Sequence, residues 1–142
     1  MMMKSVSIYI KKNEDLIFIP YYEYDNNMVE GEKYYTENLN NADLVKRYLR
    51  VSFLEAGGLL KIRAEKTGIE LAQGIKGWTK AIKDLMVVNL KYVEDIGIFF
   101  ELNKRSRGGF VGYKRVMLGP EFNESIAYEK LYEIIKGGEC KK

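Results

Sequence analysis

The sequence predicts an α+β domain: a mainly antiparallel, twisted sheet with helices packed on it, built from two similar strand-strand-strand-helix units. Three observations lead there. Residues 5–10 and 96–103 alternate apolar and polar side chains as half-buried strands do. Each half ends in an amphipathic stretch closed by a glycine pair, Gly57-Gly58 and Gly137-Gly138. The halves also match without a gap at an offset of 80, Tyr9 to Leu16 reading against Asn89 to Ile96, with Tyr48, Gly57 and Gly58 falling on Tyr128, Gly137 and Gly138.

Taken in order, Val6, Ile8 and Ile10 form the first strand. Asn13-Glu14-Asp15 turns the chain, and Leu16 to Ile19 returns as the second strand of a hairpin that Pro20 is expected to stop. A polar, tyrosine-rich stretch follows from Tyr21 to Asn41, with a possible third strand around Lys33 to Thr36. Asn41 then caps a helix whose stripe is Leu44, Tyr48 and Val51, widened by Val45, Leu49 and Phe53. Residues 59–85 read as a connecting segment, helical or irregular, with a short helix over Trp78 to Asp84.

The second unit begins with a strand over Val87 to Tyr92, turns at Val93-Glu94-Asp95, and continues as a strand over Ile96 to Leu102. A seven-residue loop, Asn103 to Gly109, leads to a third strand over Phe110 to Leu118. Asn123 caps the last helix, with Tyr128, Leu131, Tyr132 and Ile135 at the spacing of one buried face. The units span about 4–58 and 86–138 of a single domain, 1–142, and the short turns force antiparallel pairing.

At 142 residues and 46% apolar, the chain suits one core that buries roughly two thirds of its extended surface. No apolar run exceeds four residues, against the ~20 a spanning helix needs, and the Met1-Met2-Met3-Lys4 start lacks an apolar signal core. A cytoplasmic protein with no membrane partner is expected. Cys140, the single cysteine, cannot form an internal disulfide and reads as an exposed thiol without a role. The chain has no histidine, hence neither the commonest general base nor the commonest transition-metal ligand. No catalytic residue, metal site, cofactor or small-molecule substrate is expected, and the chain reads as not an enzyme.

Charge is unevenly spread. Residues 13–43 carry eight acids and only Lys33, a local −7 within a total of +3, so the remainder carries +10. Tyr21, Tyr22, Glu23, Tyr24, Asp25, Glu30, Glu32, Tyr34, Tyr35 and Glu37 interleave aromatics with acids, a composition suited to a basic protein partner and equally to a half-buried edge strand. Glu14-Asp15 and Glu94-Asp95 are turn formers rather than catalytic pairs. Lys104, Arg105 and Arg107 beside Gly108-Gly109 offer an anion contact or a solvated turn; with Trp78 they form the alternative binding site, that of a small nucleic-acid-binding module. Gly109-Phe110-Val111-Gly112 has the letters of a GxxG loop but sits in a strand, so nucleic acid is the less favoured partner.

The opening hairpin ending in Ile19-Pro20, the Lys76-Gly77-Trp78 segment, the Ile96 to Leu102 strand, the Arg107-Gly108-Gly109-Phe110 turn and the terminal helix together resemble the immunity proteins of bacterial contact-dependent growth inhibition systems. The resemblance runs over most of residues 4–136. It implies that the chain binds a cognate toxin domain, a ribonuclease in some members, and blocks its active site or substrate access. Nuclease-directed members are often acidic overall, whereas this chain is net basic, and the −7 window would supply the local patch that steers onto a cationic cleft.

Overall fold

In the computed structural model, which describes residues 3–139, the chain runs β1 (Met3–Ile10), β2 (Asp15–Tyr24), β3 (Asn27–Glu30), β4 (Tyr35–Asn38), α1 (Ala42–Glu55), α2 (Gly68–Gln73), α3 (Trp78–Ala81), β5 (Met86–Val93), β6 (Gly97–Ser106), β7 (Gly109–Gly119) and α4 (Glu124–Lys136). Cys140 lies outside the described residues. The strands form one antiparallel sheet in the order β3-β2-β1-β5-β6-β7, with β4 also pairing β2. An α+β fold with helices packed on an antiparallel sheet is thus what the chain adopts.

The two units meet where β1 pairs β5, and within that pairing Ile8 faces Val88, residues 80 apart in sequence. The offset coincides with one cross-strand pair of this antiparallel ladder. It does not extend gaplessly around the first turn: Ile8 faces Phe18, ten positions on, whereas Val88 faces Leu102, fourteen positions on. Lys11 to Glu14 thus turn the chain while Lys91 to Val93 still run in a strand.

Strand alternation divides the side chains between two faces. Val6, Ile8, Ile10, Leu16, Phe18, Val88, Leu90, Ile98, Phe100 and Leu102 point to one, where Val45, Leu49 and Phe53 of α1 and Ala127, Leu131 and Ile134 of α4 complete the main core. The α4 stripe is rotated from the expected one, with Ala127 and Ile134 buried and Tyr132 exposed. In α1, Asn41 holds the N-cap position without a side-chain bond, and Gly57 at φ 85 ends the helix in the left-handed conformation that glycine permits. The opposite face is covered over part of its area by α2 and α3, which bury Ile69, Ala81 and Ile82 against Tyr9, Ile17, Ile19 and Val87.

Three boundaries differ from the expected ones. Pro20 does not stop β2, which continues to Tyr24. The Lys11 N–H bonds Asp15 O, so by alternation the nitrogen of Pro20 faces away from β1, toward the gap between β4, which ends its pairing at Phe18, and β3, which begins at Tyr21. The tyrosine-rich stretch holds two short edge strands, β3 and β4, rather than one at 33–36. The expected seven-residue basic loop is instead a ribbon: β6 runs to Ser106, β7 starts at Gly109, and the turn is Arg107-Gly108 with Gly108 at φ 64.

Candidate functional site

The ten acids and tyrosines expected to meet a partner are parted by the pleat of β2. Tyr22 points toward α1, is 9% exposed, and donates its hydroxyl to Glu55 Oε2 at 3.0 Å. Tyr35 donates to the other oxygen of the same carboxylate, and Lys33 Nζ lies 3.6 Å from it. Burial first, and the Glu55 carboxylate second, push both phenols up, Tyr35 to about 12. Glu55, which the sequence reading left out, thus fixes two of the expected contact residues into the fold.

Tyr21 and Glu30 face the other way. Glu30 is 8% exposed, and its Oε2 accepts from Tyr9 Oη and from Trp78 Nε1, each at 3.0 Å. Its Oε1 has no hydrogen bond of normal geometry. Burial raises the Glu30 carboxyl, while the Trp78 and Tyr9 bonds and the nearby Ile69 amide pull it down. Tyr21, half-buried with its hydroxyl accepting from Ser7 Oγ at 3.2 Å, is pushed up to about 12, chiefly by burial. Glu37 stands apart: it faces Leu16 while Glu30 faces Tyr21, five residues or about 17 Å along β2.

Glu23, Asp25, Glu32 and Tyr34 remain exposed, with Tyr24 half-buried. Asp25 and Asn26, at φ 50 and 65, form the two-residue turn between β2 and β3, the left-handed pair that matches strand twist. Beyond α1 the chain returns beside this hairpin: Gly57 N–H bonds Tyr21 O at 2.8 Å, Glu23 N–H bonds Gly58 O at 2.8 Å, and Leu60 N–H bonds Glu23 O at 2.9 Å. Leu59 is thereby laid against Glu23 and left 77% exposed, and Ile62 is 81% exposed. A groove of about 520 Å3 opens here between Tyr22, Glu32, Lys33, Leu60, Ile62 and Arg63. Residues 59–62 belonged to the segment read as a connection, and their signal was the apolar triplet Leu59, Leu60, Ile62 directly after a helix stop.

The basic ribbon offers less than its letters suggest. Arg105 Nη2 donates to Ile82 O and Leu85 O, both at 2.6 Å, and its guanidinium lies 4.8 Å from the Phe110 ring centre. It caps the carbonyl end of α3. Trp78 is held by Glu30 and packs toward Gly109, leaving Lys104 and Arg107 as the exposed cations of that set.

Among the described residues no group of three or more His, Cys, Asp or Glu side chains is placed to hold a metal ion, and no helix is long and apolar enough to cross a membrane. No family model matches the chain, and no curated protein matches it. In fold it is similar to a solved structure, the protein of unknown function NMB0488 from Neisseria meningitidis, at a TM-score of 0.69 and 8% identity over 98% of this chain and 96% of that one. At that identity the likeness extends to the fold alone.

Proposed function

We propose that this chain is a cytoplasmic, non-enzymatic immunity protein that binds a cognate contact-dependent growth inhibition toxin domain, a nuclease of the ribonuclease type, and occludes its active site or substrate access. The reading starts from the family resemblance of the sequence. The observation that carries it is the surface where two aliphatic side chains, Leu59 and Ile62, stand almost wholly in solvent, Leu59 laid against Glu23 and Ile62 in the groove that Glu32, Lys33 and Arg63 also line.

Apolar anchors ringed by charge suit a protein interface: the aliphatic groups gain from leaving water, and the carboxylates set orientation and encounter rate against a cationic surface. Tyr21, Tyr22, Tyr35 and Glu30 then act from beneath, holding the strands that present this surface. The test is co-expression with the toxin domain encoded next to this chain. Co-purification and survival of the expressing cells support the reading, and the absence of both sinks it.

A further inference from the structure

We infer that the part of the sheet left open by α2 and α3 holds a second binding site, one that takes a guanidinium-bearing group. A cleft of about 290 Å3 lies there, with Ser5, Tyr21, Asn103, Lys91 and Glu101 on its floor and the rings of Trp78 and Phe110 at one end. That volume is just under the range of small-ligand pockets, about 300–1,000 Å3, and suits a group the size of one long side chain.

The hydrogen-bond inventory selects the chemistry. Apart from the Ser5 and Tyr21 hydroxyls, the floor's amide, hydroxyl and indole groups each donate inside the protein. Asn89 Nδ2 donates to Ser7 Oγ at 2.9 Å, Asn103 Nδ2 to Asn89 Oδ1 at 2.8 Å, Ser7 Oγ to Tyr21 Oη at 3.2 Å, and Tyr9 and Trp78 both donate to Glu30. Acceptors remain. Asn103 Oδ1 and Glu101 Oε2 receive no hydrogen bond among the described residues, and the Glu101 carboxylate gives only Oε1 to Lys91, at 2.8 Å. Position 112 must be glycine for that carboxylate to lie where it does, because a Cβ there would stand 2.6 Å from Glu101 Cδ.

A cleft with free acceptors, a carboxylate and the Trp78 ring at one end, where the chain's own Arg105 already lies over Phe110, favours a planar, donor-rich cation. Guanidinium competes with Lys91 for Glu101, so the two residues have opposite effects. The source is a free guanidino compound or an arginine presented by a protein. This site is separate from the surface assigned to the toxin and does not depend on that assignment.

Trp78, the one tryptophan of the sequence, reports on the cleft directly. The full-length protein is titrated with agmatine and with a blocked Gly-Arg-Gly peptide, following Trp78 fluorescence and the side-chain amide signals of Asn89 and Asn103. Saturable changes with either probe are expected; response to agmatine assigns a free ligand, and response to the peptide alone assigns a presented arginine. Glu101→Gln should weaken binding by about tenfold, and Lys91→Gln should tighten it. No saturable change up to about 10 mM of either probe, or equal affinity in the wild type and Glu101→Gln with its fold intact by circular dichroism, overturns the inference.

Discussion

Trp78 Nε1 donates to Glu30 Oε2 at 3.0 Å, across 48 positions of sequence, and ties the start of α3 to the end of β3. Tyr9 of β1 donates to the same oxygen. One nearly buried carboxylate therefore gathers three separate parts of the chain. Trp78→Phe removes a donor from a buried acceptor and should cost about 1–3 kcal/mol in a urea denaturation.

Glu30 also predicts a pH dependence. Burial, the main cause, raises its folded carboxyl above the ordinary value of 4.5, so the folded state holds the proton more tightly than the unfolded one. That contribution is fully present below the unfolded value and is lost as pH rises through the folded value. As pH rises above 4.5, the urea midpoint of the wild type should fall relative to that of Glu30→Gln. Midpoints that stay parallel as pH rises would contradict the assignment.

Glu55 holds the hydroxyls of Tyr22 and Tyr35 together. Glu55→Gln removes the charge that, after burial, raises both phenols. Alkaline absorbance titration of the mutant should show two tyrosines ionising at lower pH than in the wild type. An unchanged titration curve would mean that burial alone sets these values.

The cations of the basic ribbon should separate cleanly. Arg105→Ala exposes the carbonyl end of α3 and should destabilise by about 1–3 kcal/mol, because charge-assisted bonds to backbone are lost. Lys104→Ala and Arg107→Ala, both exposed, should stay within about 0.5 kcal/mol of wild type. If the chain binds nucleic acid through this ribbon, those two exposed residues carry the salt-dependent affinity.

Gly68 opens α2 while its N–H bonds Gly31 O at 2.7 Å, and a Cβ there would come 2.5 Å from Lys33 O. Gly68→Ala must therefore push α2 off the sheet. A loss of about 1–3 kcal/mol in thermal unfolding is expected, the range of overpacking rather than of helix propensity.

The strands and the two long helices were legible because their periods of two and of 3.6 residues are strong over eight residues or more. Gly57 and Asn123 marked helix ends for reasons the backbone enforces: a left-handed stop in one case, a side chain accepting from Ser125 and Ile126 N–H in the other. Pro20 misled because an isolated proline cannot reveal which edge of a strand lies unpaired. In the 59–85 segment, Thr67-Gly68-Ile69-Glu70 carries a capping box, with Thr67 accepting from Glu70 N–H and Glu70 from Thr67 N–H. Three glycines obscured it.

The candidate surface was legible only in part. Charge counting found the acids but gave no direction to their side chains, and the pleat of β2 turns Tyr22 inward toward α1 and Tyr21 to the other side of the sheet. Leu59 and Ile62 become neighbours of the acids only through the return of the chain along β2, a contact no local pattern encodes.

The surface itself is tested by Leu59→Asp and Ile62→Asp. Both side chains are exposed, so thermal unfolding should move by less than about 0.5 kcal/mol.

Affinity for the neighbouring toxin domain decides the central claim most directly. Calorimetric titration of wild type and of the Leu59→Asp, Ile62→Asp double variant should give a sub-micromolar Kd for the first and a loss of at least about a hundredfold for the second, with both folded. No heat of binding with the wild type at about 10 μM, or equal affinity in the two proteins, would contradict it.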